Sequence, residues 1–489
     1  MRKVMKENLM EVFKTLYEAH DVVKDYIDNG MRQNAYELLC DCQNAAIDLG
    51  NKIYEAEGDG FTGLNSFEEY CEIVYQTAIS EDICGEAAKL ALDEKLKVSE
   101  AVAETIPAKY EVVFLPYKAS MWDSLESIWR AADADPECNA RVIPIPYYDR
   151  NPDHSFASMH YEGKDFPDYV PITHYSEYDI ESNQPDIIYI HNPYDNCNYV
   201  TSVAPEYYSF ELKKHTPMLV YVPYHISGCF SRAGNAAADI PSAFRYVDKV
   251  ILPSHAQKNY YISGGISENK FMVAGSPKID YIVNELSNVD VPEEWSERCS
   301  GKKVILLNST IARLLQDQSW GSSMLDLLAK FDSVEDMVLL WRPHPLLKAT
   351  IASMRPQQAK EFSDVVCAME SHRNVIIDTT PSVHAAMKLS DALISDYSSI
   401  VMQYTFTGKP ALLTDGTSSV KDDYIVCTDY FSNYFINDGE SVEDFVAMVC
   451  DGCDDRMEER IRTSTASVVN ADGSCGIKTH KEIKGLLEV

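Results

Sequence analysis

Ser395-Asp396-Tyr397-Ser398-Ser399 stands between an apolar run, Ala392 to Ile394, and a stretch of helical periodicity that ends at Gly408. Read as strand, loop and helix, it gathers unpaired N–H groups, the positive end of a helix dipole and two hydroxyls at one point. That combination suits a phosphate or pyrophosphate. Ser and Asp are also favoured helix caps, so this segment alone leaves both readings open. WRPHPLL (Trp341 to Leu347) follows the apolar MVLL and presents Arg342 and His344 between prolines that fix the backbone. Arginine suits bidentate phosphate contacts, and histidine can donate to a phosphoryl oxygen or shuttle a proton. KVILLNST delivers Ser309 and Thr310 to another strand end, and LVYVPYHISG brings out His225 beside Ser227 and Gly228. A histidine after a strand is more often structural than catalytic. Here each group follows an apolar run, and the company raises its weight.

Two sets of elements must position these residues. YEVVFLPY, ARVIPIPYY, DIIYIHNP, PMLVYVPYH and KVILPSH read as strands separated by loops and helices. After the polar stretch SNVDVPEEWSERCSGK the chain restarts with KVILLNST, MVLLWRPHP, NVIID, ALISD and PALLTD. This alternation predicts two α/β domains with mainly parallel sheets, and a ligand crevice outside the carboxyl ends of their strands. Before them, helical periodicity marks the opening segment from Val4 to Val23, a second stretch from about Gln33 to Ala56, and a fourth helix from Glu86 to Val102. Ser66 with Glu69 reads as a capping box for the third. The expected division is 1–108 for a helical N-terminal module, 109–290 for the first Rossmann-like domain and 291–489 for the second. The module either buries its apolar stripes internally or against the next domain, or serves as a surface for a homo-oligomer or another partner.

The 489 residues carry a formal charge of −33 at pH 7, with 45% hydrophobic and 24% charged residues. This is the composition of a folded soluble protein, and its acidity opposes nucleic-acid binding, which needs clustered cations. No apolar run reaches the length of a spanning helix, and the opening segment lacks a signal peptide's apolar core, so the expectation is a cytoplasmic chain with at most peripheral membrane contact. The 13 cysteines suit a reducing compartment. Neither Cys40 with Cys42 nor Cys450 with Cys453 has a second pair at zinc spacing, and no metal or cofactor is expected. A Walker-type P-loop is also missing from the sequence. In the first strand-end loop, Lys118, Ser120, Trp122 and Asp123 are candidates for acceptor contacts, and the tyrosine-rich stretch from Tyr147 to Tyr208 could line an acceptor groove.

His225 in HISG, AGSPKID from Ala274 to Asp280, RPHP from Arg342, and LSDALISDYSSI followed by GKP together resemble the CDP-glycerol glycerophosphotransferase family of teichoic acid primases and polymerases. The resemblance runs from about Tyr110 onward and is densest from His225 to Asp415. It implies a two-domain fold of the glycosyltransferase B type, a CDP-glycerol or related CDP-polyol donor, and a polymer or lipid-linked acceptor that carries a hydroxyl. By motif match, His225 is similar to the family's base and His344 to the histidine that stabilises the donor phosphates or the leaving CMP. Arg342, Ser309, Thr310, Asp396, Ser398 and Ser399 would complete the donor site. Gly275, Ser276 and Lys278, expected at the same donor site, match a Gly-Ser-Pro-Arg segment at the domain boundary, with lysine in place of arginine. The chain departs from the pattern in HISGCF, where His-Gly-Thr and a lysine are usual and Arg232 is the nearest cation, and at Gln403, where the family often has aspartate. Two other readings stay open: a nucleotide-sugar glycosyltransferase of the same fold, and a noncatalytic scaffold that docks through its N-terminal helices.

Overall fold

The computed structural model describes all residues except 59, 60, 152, 199, 227, 228, 232–239, 332, 333, 335, 345, 346, 415–423, 427–434, 437–440 and 489. Ser227, Gly228 and Arg232 lie outside the described residues. The chain forms two compact units, one of residues 1–112, 133–141 and 180–187 and the other of 113–132, 142–179 and 188–489.

The first unit is dominated by four helices, α1 (Lys3–Asp28), α2 (Arg32–Glu57), α3 (Asn65–Ile79) and α4 (Gly85–Glu104). α1 packs on α2 and α4, and α3 closes the ring. Leu9, Phe13, Leu16 and Val23 lie on one stripe of α1 and are all buried among Leu39, Ile53, Tyr70 and Leu92. The helical spacing of these apolar residues is what folds the segment, since a short helix is marginal in water without a packed face. α1 stops at Asn29-Gly30, where Gly30 takes φ of 75°. The core also holds His20, whose ring nitrogens meet Asp93 Oδ1 and the Tyr70 hydroxyl, each at 2.7 Å. One local expectation is corrected: Ser66 and Glu69 form no capping box. α3 begins a residue earlier, so Ser66 lies inside it and donates to the Gly63 carbonyl at 2.8 Å, while Glu69 pairs with Lys95.

The strands are β1 (Tyr110–Leu115), β2 (Cys138–Val142), β3 (Tyr147–Arg150), β4 (Phe156–His160), β5 (Ile187–Ile190), β6 (Thr201–Val203), β7 (Met218–Tyr221), β8 (Cys229–Ser231), β9 (Lys249–Leu252) and β10 (Phe271–Val273). They continue as β11 (Lys303–Ser309), β12 (Met337–Pro343), β13 (Val375–Ile377), β14 (Ala392–Ser395), β15 (Ala411–Leu413), β16 (Tyr424–Val426) and β17 (Phe435–Ile436). The first sheet has the order β10-β9-β7-β5-β1-β2 and the second β13-β12-β11-β14-β15-β17, a parallel array throughout. Val304 to Leu307 and Val338 to Leu340 are buried, as the central strands of a sheet covered on both faces require.

ARVIPIPYY does not form one continuous strand. β2 ends at Val142, and the next strand, β3, pairs antiparallel with β4 and β6 in a separate sheet. Pro144 and Pro146 lie between them and have no N–H to give a ladder.

The segment after β10 is built around Gly275, whose φ is 106°. A Cβ there would lie 2.3 Å from the Val469 carbonyl oxygen, so glycine is required by both conformation and space. The helix Pro277–Asn284 follows, and its Asp280 accepts from the backbone N–H groups of Cys475 (3.1 Å) and Gly476 (2.7 Å). The helix Cys475–Gly485 thereby returns to the first sheet's side, where a Cβ on Gly476 would meet the Ser127 backbone at 2.3 Å.

Candidate functional site

In both sheets the strand order reverses next to the first strand of the array, between β11 and β14 in the second sheet and between β1 and β5 in the first. Such switch points leave a crevice outside the carboxyl ends of the strands.

At the second sheet's switch point, Asn308 and Ser395 are register neighbours on β11 and β14. Asn308 Nδ2 donates to Ser395 Oγ at 2.9 Å and to Ser398 Oγ at 3.3 Å. One residue further along each chain, the Thr310 backbone N–H donates to Asp396 Oδ2 at 3.3 Å, and its hydroxyl donates to the same oxygen. Thr310 also caps the helix Ile311–Gln316 by accepting from the Arg313 N–H. Ser398 precedes the helix Ser399–Thr405, and the Ser399 carbonyl accepts from Gln403 Nε2 at 3.1 Å. Asn308, Ser309, Ser395 and Asp396 border a cavity of about 290 Å³ that Arg313 and Lys330 also line. The structure thus brings Thr310, Asp396, Ser398 and Ser399 together at one sheet edge. Ser309 is buried, and its hydroxyl accepts from Trp341 Nε1 at 3.1 Å and lies against Met324.

Arg342 and His344 extend from β12. The Arg342 guanidinium is only 9% exposed and donates to Asp378 Oδ2 at 2.5 Å, with further contacts to Thr380 Oγ1 and to the carbonyls of Pro381 and Ser382 at 3.3 Å. These bonds orient it within the second sheet's own loops. His344 is exposed, and its N–H donates to the Ser309 carbonyl at 3.1 Å. Partial desolvation, with the positive charges of Arg342 and Lys118, lowers its pKa. Lys118 is a residue of the first sheet's loop, so its field reaches across to β12's end. His344, Lys348, Phe362 and Thr380 border a second cavity of about 320 Å³.

At the first sheet's switch point the rings of Tyr117, His191, Tyr224 and His225 follow one another, with centroids 5.1, 6.4 and 5.0 Å apart. His191 Nε2 accepts from the Tyr117 N–H at 3.1 Å, and its Nδ1 lies 3.1 Å from Ser124 Oγ. Burial, with the nearby Lys278 charge, lowers its pKa to about 3. His225 is desolvated likewise, and burial with the same lysine lowers its pKa to about 4. Its Nδ1 finds no hydrogen-bond partner among the described residues. A neutral imidazole with an uncommitted nitrogen at a strand end is competent to accept a proton.

The remaining candidates are placed as follows. Trp122 is buried against Trp129 and Phe166. Ser120 is exposed, and Lys118 lies 5.0 Å from the centroid of the Tyr147 ring. Asp123 is buried and receives both bonds of the Lys278 ammonium at 2.6 Å. Burial alone would raise the Asp123 carboxyl; Lys278 and His384 outweigh it and hold the pKa well below the usual range. Ser276 is buried ahead of Pro277, and Gly275 makes the turn. In the tyrosine-rich stretch, the Tyr147 hydroxyl donates to Glu162, which also accepts from the Ala119 N–H. Lys409 of GKP donates to the carbonyls of Met387, Lys388 and Ser390, and so caps the helix His384–Leu389. Sequence reasoning passed over Asn308 as a ligand group and missed Asp378 and His384. Asp378 also directly follows a strand, the same signal that singled out Asp396.

Among the described residues no helix is long and apolar enough to cross a membrane. The sequence profile of the CDP-Glycerol:Poly(glycerophosphate) glycerophosphotransferase family matches residues 233–430. The teichoic acid poly(ribitol-phosphate) polymerase of Bacillus spizizenii is 25% identical over 252 residues, 48% of this chain and 38% of its own length. The teichoic acid ribitol-phosphate polymerase TarK of Staphylococcus aureus is 24% identical over 237 residues, 45% of this chain and 42% of its own length. The match thus spans about two fifths of these curated relatives. A solved structure described as a UDP-N-acetylglucosamine 2-epimerase from Listeria monocytogenes aligns over 78% of this chain and 97% of its own, with a TM-score of 0.51 at 14% identity, and shares the fold alone. The architecture is α/β, two Rossmann-like domains of the glycosyltransferase B type preceded by a helical region. The profile match over residues 233–430 and these teichoic acid polymerase relatives make the chain similar to the CDP-glycerol:poly(glycerophosphate) glycerophosphotransferase family.

Proposed function

We propose that the protein transfers glycerol phosphate, or a similar polyol phosphate, from a CDP-activated donor to a hydroxyl of a cell-envelope polymer, with CMP as leaving group. The observation that carries this reading is the pairing of two strand-end clusters within one compact unit: hydroxyls and backbone N–H groups around Thr310, Asp396, Ser398 and Ser399 on the second sheet, and a neutral His225 on the first. The family match supports the same chemistry.

His225 takes the proton of the acceptor hydroxyl as its oxygen attacks the polyol-side phosphorus. The phosphorus–oxygen bond to CMP breaks, and the electron pair leaves on CMP. His344, beside the positive Arg342 and Lys118, donates to the phosphate oxygens on which charge accumulates. Asn308 holds Ser395 and Ser398 in place, and Thr310 with Asp396 frames the nucleotide side. Ser120 and Lys118 face the acceptor. In this proposal the domains divide near residues 108 and 290, and the protein works at the inner face of the membrane through peripheral contact.

Calorimetric titration with CDP-glycerol, CDP-ribitol, UDP-glucose and CMP, repeated on His344→Ala, tests the reading. The expected result is cytidine-selective binding that the variant weakens. Binding of UDP-glucose in preference, or of none of the four, would overturn it.

A further inference from the structure

The Asp123–Lys278 pair joins a turn of the first sheet to a helix whose Ile279 and Ile282 are buried in the second sheet's core. Asp123 belongs to the turn Ala119–Ser124 after β1, Lys278 to the helix Pro277–Asn284 that follows β10, and a third group, His384, opens the helix His384–Leu389 after β13. All three are buried. His384 Nε2 lies 3.1 Å from Asp123 Oδ2, and its ring stacks on Tyr281, one turn from Lys278, at 4.2 Å.

Polar contacts leave this cluster in both directions. Towards the second sheet, His384 Nδ1 meets Ser382 Oγ at 2.7 Å, and the Ser382 carbonyl accepts from Arg342 and from Thr380. Towards the first, Ser124, the neighbour of Asp123, contacts His191, which accepts from the Tyr117 N–H. Buried and half-buried polar groups therefore lead from the strand ends next to His225 to the strand end that carries His344, and where the two runs meet His384 Nε2 approaches Asp123 without a hydrogen bond. A buried ion pair is a poor source of stability, because desolvation offsets most of its attraction and an apolar pair of similar volume would hold two surfaces together equally well. What the ion pair adds is direction: the two 2.6 Å bonds to one carboxylate fix the placement of the groups that make them.

We propose that Asp123, Lys278 and His384 form a latch between the two sheets, a set of positioning residues that holds the strand ends carrying His225 and His344 in one fixed relation for the transfer step. The kinetic part of this inference rests on the polyol-phosphate reading above; the structural part does not.

The test uses the full chain and three variants: Lys278→Arg, which keeps the charge, His384→Phe, which keeps the stack on Tyr281 but deletes the Asp123 contact, and the double variant Asp123→Leu/Lys278→Met, which replaces the pair by apolar groups and leaves no stranded charge. Thermal melting establishes folding, calorimetry reads CMP affinity, and turnover is measured with CDP-glycerol. For the double variant the expected result is a melting temperature near the parent's, unchanged CMP affinity and a kcat lower by about 100-fold, the scale of a misplacement of about 1 Å. His384→Phe should lose kcat in the same sense, and Lys278→Arg should retain most of it. A folded double variant with parental kcat, or one that loses CMP affinity together with turnover, would overturn the latch. If the parent neither binds CMP nor turns over CDP-glycerol, the functional reading fails by itself. Solution X-ray scattering then decides the latch: a broader distance distribution in the double variant supports it, and superimposable curves overturn it.

Discussion

Arg342, at the end of β12, donates to Asp378, the residue just beyond β13, at 2.5 Å, and neither side chain is more than 9% exposed. The arginine of the RPHP segment is thus held by its own domain, and its charge acts on its surroundings from a fixed place. Removing the carboxylate leaves a buried guanidinium with only neutral partners among the described residues. Asp378→Ala should therefore lower the unfolding free energy by about 3–5 kcal/mol. Asp378→Asn, which retains an acceptor, should cost less. Urea denaturation of the two variants beside the parent measures the difference, and equal stability of Asp378→Ala and parent would refute the assignment.

The neutral histidines make the protein acid-sensitive. Burial, aided by Lys278, lowers His225 from 6.5 to about 4 and His191 from 6.5 to about 3. Between each pair of values the unfolded chain binds a proton that the folded chain does not. Their contribution to stability is fully present above about pH 6.5 and is lost as pH falls toward 4 and below. Melting temperatures should drop between pH 7 and pH 5, and His225→Gln should make that slope shallower. If His225 is the base, the acid limb it imposes on kcat/KM lies near pH 4, not near 6.5. An acid limb at 6.5 that His225→Gln removes would contradict this assignment.

Gly275 has no room for a side chain. With φ of 106° and the Val469 oxygen 2.3 Å from an added Cβ, Gly275→Ala incurs both backbone strain and a backbone clash. A loss of about 1–3 kcal/mol is expected from the strained backbone alone. Denaturation midpoints check it. A variant as stable as the parent would mean that the turn rearranges freely.

Thr310 joins two tasks, capping a helix and binding Asp396. Thr310→Val keeps the shape and removes the hydroxyl. Loss of the cap should cost about 1 kcal/mol of stability. Release of Asp396 should weaken CMP binding about tenfold, the scale of one hydrogen bond to a charged group. Calorimetry that finds CMP affinity unaltered would detach Asp396 from the nucleotide site.

The sheets were legible because their central strands are buried on both faces and so read as unbroken apolar runs: KVILLNS became β11 and MVLLWRP became β12. The helices of the N-terminal region were legible for a related reason, since a stripe such as Leu9, Phe13 and Leu16 has a helical period. The break inside ARVIPIPYY was harder, because an apolar run with two prolines keeps its hydrophobicity while losing two ladder donors. Strand-end position located the groups that gather at the switch points, Thr310 and Asp396 among them. It could not tell which partner each would find. Ser309 and Thr310 are adjacent in sequence and both carry hydroxyls, yet one accepts from Trp341 in the core and the other meets Asp396. That choice depends on partners distant in the sequence, as does the pairing of Lys278 with Asp123, 155 positions apart.

The bonds from Asp280 to the backbone of Cys475 and Gly476 span 195 and 196 positions. Val469 and Asn470 bond back to Pro253 and Ala274 over a similar range. During synthesis on the ribosome, the first sheet's side therefore cannot gain these contacts until nearly two hundred further residues have emerged. Loop closure on that scale is slow and leaves apolar surface waiting for its cover. The nascent first sheet accordingly keeps these groups unpaired until the segment after Val469 folds back onto it.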